Sequence, residues 1–82
     1  MSEEITRPFT FGEDAVGVNF NPSNNRKVEE IKFLYAKIID ILDDMRRSDE
    51  QPDRHPEKNR YLSIAITETQ TAQMWAVKGI TK

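Results

Sequence analysis

Few residues in this chain could carry out chemistry, and their types favour binding over catalysis. There is no cysteine and a single histidine, His55. A thiol nucleophile is therefore absent, and so is the pair of imidazoles or thiolates that a zinc site needs. His55 lies in a polar, proline-flanked stretch between Pro52 and Pro56. Asp40, Asp43 and Asp44 form the densest group of acids, with Asp40 and Asp44 one helical turn apart on a common face. They read as a solvated helix face leading into Arg46 and Arg47, with a metal cluster as the alternative. Glu68 is an isolated acid in a weakly polar segment, suited to a hydrogen bond between helices or to a functional carboxylate. The chain is expected not to be an enzyme and to carry no metal or cofactor.

Three features suit an anion. Asn21-Pro22-Ser23-Asn24-Asn25 gathers amide side chains where a helix begins. Free N–H groups at a helix N-terminus hold either a capping side chain or a phosphate, and both readings stand. Lys32 falls between Ile31 and Phe33 in an otherwise apolar run, so it either snorkels to solvent or directs its ammonium at an anion. Arg60 stands at the start of a helix, where the macrodipole disfavours a cation. It therefore pairs with the acids of the preceding turn or serves an anionic ligand.

The elements that position these groups are mostly α-helical. Residues 1–22 have no helical period. Pro8, Gly12, Gly17 and Pro22 interrupt them, and Phe9, Phe11, Val16, Val18 and Phe20 alternate with small or polar neighbours, which predicts an extended arm. Residues 23–47 read as a helix capped by Ser23 or Asn24. Its stripe Val28, Ile31, Tyr35, Ile38, Leu42, Met45 follows heptad spacing, and Glu29 and Glu30 early with Arg46 and Arg47 late complement the dipole. Residues 48–56 form a turn, and residues 57–80 a second helix ending at Gly79 as a glycine cap. The second helix carries one stripe of small residues, Leu62, Ala65, Thr69, Ala72 and Ala76. Another stripe runs through Ile64, Glu68, Thr71, Trp75 and Lys78. Two helices joined by a short turn give an antiparallel hairpin.

Composition bounds the rest. At 82 residues, of which 37% are hydrophobic and 32% charged, the chain makes one small domain with a limited core. With disulfides and zinc ruled out by residue type, self-association is the remaining common source of stability. The unused apolar stripes, with Met74 and Trp75 as interface core, predict a homo-oligomer, most simply through a two-fold axis. A net charge of −2 gives no positive field for DNA. No apolar run approaches the ~20 residues of a membrane span, and the acidic start Met1-Ser2-Glu3-Glu4 lacks the features of a signal peptide. The expected location is the cytosol.

The stretch Arg60-Tyr61-Leu62-Ser63-Ile64-Ala65-Ile66-Thr67-Glu68-Thr69-Gln70-Thr71-Ala72-Gln73-Met74-Trp75-Ala76-Val77-Lys78 resembles the second helix of the phage anti-CBASS and anti-Thoeris sponge proteins. Phe20-Asn21-Pro22-Ser23 and Val28-Glu29-Glu30-Ile31-Lys32 resemble the approach to that family's first helix. The resemblance covers roughly residues 9–80. It implies a homo-hexamer built from dimers that sequesters cyclic dinucleotides such as 3′,3′-cGAMP without cleaving them, in the cytoplasm of an infected bacterial host. Some members also hold cyclic trinucleotides in a separate three-fold pocket, or cyclic ADP-ribose isomers. By the same resemblance, Lys32 corresponds to the phosphate-contacting lysine, Arg60 to the arginine that some members use for the trinucleotide, and Thr67 to the threonine of the same motif. The family's base-stacking tyrosine has no counterpart here. Val18 is nearest to its position and cannot stack, so Phe20, or Phe11 from the arm, is the candidate replacement, with Asn21 beside it. The physics agrees, because a two-fold interface that supplies two lysines suits a pseudo-symmetric ligand with two phosphates. The competing expectation is a helical-hairpin interaction module that docks on a host or phage protein.

Overall fold

The computed structural model describes residues 7–48 and 56–82, and among them all regular structure is helical. The elements are α1 (Phe11–Val16), α2 (Arg26–Arg47) and α3 (Lys58–Ile80). At ~1.5 Å per residue, α2 and α3 are each roughly 33 Å long. Arg46, near the end of α2, donates to the Ser63 hydroxyl near the start of α3 at 3.0 Å. Lys32, early in α2, shares a cavity with Gln73 and Val77, late in α3. The two helices are therefore antiparallel, and the expected hairpin forms.

Part of the expected extended arm is a helix. Residues 11–16 coil because both ends are capped. The Thr10 hydroxyl accepts the Glu13 N–H at 3.1 Å, and the Glu13 carboxylate accepts the Thr10 N–H at 3.0 Å, a complete capping box. Gly17 then stops the helix in the left-handed region at φ 67°, where a residue without Cβ is at ease. Residues 1–6 of the expected arm, and residues 49–55 of the expected turn with His55, lie outside the described residues.

Other boundaries also move. Asn25, not Ser23 or Asn24, caps α2, its side chain accepting from the N–H groups of Lys27 and Val28. Asn24 takes a left-handed φ of 53° to make the turn. Gly79 lies inside α3, and Thr81 ends the helix, its hydroxyl donating to the Val77 carbonyl at 2.9 Å.

The Cα atoms span 45 × 28 × 12 Å. α1 packs chiefly against α2 and also reaches α3, whose Gln70 amide donates to the Ala15 carbonyl at 3.4 Å. The core is thin: Val16, Ala36, Ile39 and Ile66, flanked by Ala15, Val18, Tyr35 and Leu42. α1 lies very close to α2. A Cβ on Gly12 would stand 2.1 Å from the Ala36 carbonyl oxygen, so only glycine fits, and its N–H donates to Asp40 Oδ1 at 2.7 Å.

Tertiary packing changes which stripes are buried. On α2 the buried residues are Val28, Lys32, Ala36, Ile39 and Asp43, whereas the heptad stripe leaves Ile38 and Met45 exposed. On α3, Ile66 and Gln73 are buried, the small-residue stripe is half-buried except at Ala72, and the stripe through Ile64 and Trp75 is exposed. The reason is one of size: two long helices and one of six residues cannot cover all of this apolar surface, and the remainder stays outside. The acids divide too. Asp40 anchors Gly12, while buried Asp43 pairs with Arg46 at 2.7 Å and Arg47 at 2.9 Å. Of the three, only Asp44 keeps to the solvated face, where it pairs with Arg47 at 2.9 Å, and among the described residues no group of acids is placed to hold a metal ion.

Candidate ligand pocket

The expected site residues separate into distinct places. Phe20 and Lys32 come together in an open cavity of about 270 Å³, lined also by Val16 and Gly17 on the α1 side and by Gln73, Met74 and Val77 from α3. Lys32 is 6% exposed, so it does not snorkel. Its ammonium donates to the carbonyl of Gly17 at 3.0 Å and to that of Phe20 at 2.5 Å, and lies 5.5 Å from the Phe20 ring centre. Burial lowers its pKa from 10.5. The lysine staples the chain as it leaves α1: Gly17 ends the helix, the Phe20 N–H returns to the Gly17 carbonyl at 2.8 Å, and both carbonyls converge on one cation. An ammonium has three N–H groups. Two of them serve these carbonyls, leaving a third for a ligand.

Asn21 adjoins this loop, but its own groups are occupied. Its amide donates to the Asn25 carbonyl at 3.0 Å and its oxygen accepts the Ser23 hydroxyl at 3.1 Å. With Asn25 holding the N–H groups of Lys27 and Val28, this segment is a capped turn, not an open phosphate cradle. Val18 is half-buried against the core, its N–H donating to the Glu13 carbonyl. Phe11 stands elsewhere, its ring 5.5 Å from the Arg46 guanidinium. Fourteen helical positions, roughly 20 Å of axis, separate Arg46 from Lys32.

Arg60 and Thr67 do not line the cavity. Arg60 is exposed in the first turn of α3, its guanidinium 6.0 Å from the Tyr61 ring centre. It lies thirteen positions, again roughly 20 Å, from Gln73. Thr67 is also exposed, and its carbonyl accepts the Thr71 hydroxyl at 3.2 Å.

Reading the sequence missed Gln73, which is buried and lines the cavity. The signal was present. Leu62, Ile66, Gln73, Val77 and Ile80 recur at helical spacing, and an amide in that apolar series marks a polar position facing inward.

A second cavity of about 390 Å³ lies between α1 and α2, lined by Arg7, Thr10, Glu13, Phe33, Leu34, Ala36, Lys37 and Asp40. Two of its ions pair with each other. Arg7 grips Glu13 with two hydrogen bonds, at 2.6 and 2.5 Å, and this contact draws the Glu13 carboxyl down to about 2.

These features define a helical hairpin with a lysine-lined cavity at the loop that enters it. The chain belongs to the Acb2/Tad1 hairpin-domain family, the phage anti-CBASS and anti-Thoeris sponge proteins, whose profile matches residues 13–81. That span begins within α1 and ends just past α3, so the family unit includes the short helix together with the hairpin. No curated protein matches this chain, and no solved structure does. Membership is consistent with a role in phage anti-defence. Among the described residues no helix is long and apolar enough to cross a membrane.

Proposed function

We propose that this protein binds and sequesters cyclic oligonucleotide immune signals, cyclic dinucleotides such as 3′,3′-cGAMP foremost and cyclic trinucleotides as further ligands, without cleaving them. It does so as a homo-oligomer, a hexamer built from dimers, in the cytoplasm of an infected bacterial host. The observation that carries this reading is the buried Lys32 ammonium beside the exposed Phe20 ring in the wall of one cavity. A phosphate meets the cation, and a base meets the flat ring. The uncovered apolar surface supports self-association, because Phe33, Leu34, Ile38 and Ile41 on α2 and Trp75 on α3 are exposed in one chain.

The test is isothermal titration with 3′,3′-cGAMP, followed by heat denaturation and recovery of the ligand. Tight binding with intact ligand recovered supports a sponge. No heat with it or with a panel of cyclic di- and trinucleotides and cyclic ADP-ribose isomers defeats the reading, and new products on chromatography would make the protein an enzyme. The same exposed apolar faces favour a second reading, a hairpin that docks on a host or phage protein. That reading gains if the purified chain is monomeric and binds no nucleotide.

A further inference from the structure

Resting on the nucleotide reading above, we propose that Gln73 is the residue with which this pocket recognises the exocyclic amino group of a purine base. Gln73 is 6% exposed, and its Oε1 is buried with no hydrogen-bond partner among the described residues. Such an acceptor is costly to a fold, and a leucine of similar shape would relieve the cost. This one lies in the wall of the Lys32 cavity. The terminal torsion of glutamine is soft, so a small rotation turns the oxygen inward when a donor arrives.

The other lining residues define the donor. Val16, Met74 and Val77 are apolar and Phe20 offers a ring face, which suits a flat heteroaromatic. At about 270 Å³ the cavity falls below the ~300–1,000 Å³ that enclose a whole drug-sized ligand, so it accommodates one base with the rest of the molecule outside. A purine gives the larger stacking face. Its exocyclic amine, N6 of adenine or N2 of guanine, projects beyond the ring and carries the N–H that an amide oxygen accepts. The recognition is then divided: Lys32 answers the phosphate, which every nucleotide shares, and Gln73 answers the base.

The experiment is a double-mutant cycle by titration calorimetry. Wild type and Gln73→Leu are each titrated with 3′,3′-cGAMP and with two analogues lacking only an exocyclic amine, one with purine for adenine and one with hypoxanthine for guanine. Wild type is expected to lose about tenfold in affinity for at least one analogue. Gln73→Leu should bind that analogue and the parent alike. The free variant should melt at or above the wild-type temperature, because an unpaired acceptor has gone. If Gln73→Leu discriminates as wild type does, or wild type does not discriminate, the amine assignment is overturned while nucleotide binding stands. A lower melting temperature, or failure to fold, in both Gln73→Leu and Gln73→Met also overturns it, by revealing that the oxygen is already satisfied. Absence of 3′,3′-cGAMP binding to wild type takes this assignment down together with the function it rests on.

Discussion

Replacing Lys32 with methionine keeps most of the side-chain volume and removes the ammonium, leaving the carbonyls of Gly17 and Phe20 without their donor. A hydrogen bond to a charged group contributes about 1.5–3 kcal/mol, so two such bonds set a gross loss of roughly 3–6 kcal/mol. Two effects reduce it. Removing the ammonium also removes its desolvation cost, the burial that lowers its pKa in the fold. Phe20 is 70% exposed, so water is near at hand to replace the lost donor at its carbonyl, whereas Gly17 is half-buried. The net loss should be about 2 kcal/mol, which lowers the melting temperature of a domain this size by roughly 8–16 °C. In urea, with a slope of about 1 kcal/mol per molar, the midpoint should fall by ~2 M. The assay is equilibrium denaturation followed by circular dichroism at matched protein concentration, since assembly contributes to stability. An unchanged midpoint would refute the staple and leave Lys32 as a ligand group only. Loss of both stability and binding would mean that a binding defect in a Lys32 variant has to be judged at temperatures where the variant is folded.

Gly12→Ala should destabilise by about 2–3 kcal/mol, because its Cβ would displace α1 from the Ala36 backbone and break the bond to Asp40. The sign is diagnostic in the same denaturation assay, since the same change in a free helix would stabilise it. The Glu13 carboxyl lies at about 2 in the folded chain against an ordinary 4.5. The folded value is the lower one, so its contribution is fully present above pH 4.5 and is lost as the pH falls toward 2. The shift sets a ceiling of about 3 kcal/mol. With the Arg7 side chain 55% exposed, screening reduces this to ~1–2 kcal/mol. Glu13→Gln, which retains a capping-box residue, should lose that amount at pH 7 and flatten the stability profile between pH 5 and 2 relative to wild type. Ile41→Glu and Trp75→Glu place charge on the exposed faces and should reduce the oligomer seen by analytical ultracentrifugation; a wild-type monomer would refute assembly through those faces.

The sequence by itself was enough for the hairpin, because heptad spacing in α2 and a breaker-rich stretch before α3 are local signals that need no partner. It also named Phe20 and Lys32 as candidate ligand residues, and the fold brings these two to one cavity. It did not reveal α1. Six residues are too few to display a helical period, and the helix depends on the Thr10–Glu13 box and on Gly12 resting against Ala36. The buried faces were also illegible. Apolar stripes say that a surface must be covered, but not whether by this chain or by another. Here the contacts among the three helices take Lys32, Asp43 and Gln73 inside and leave Trp75 and Ile41 out. The unpaired oxygen of Gln73 was beyond sequence reasoning for the same physical cause: hydrogen-bond satisfaction depends on where three helices bring atoms together, and tertiary packing alone decides that.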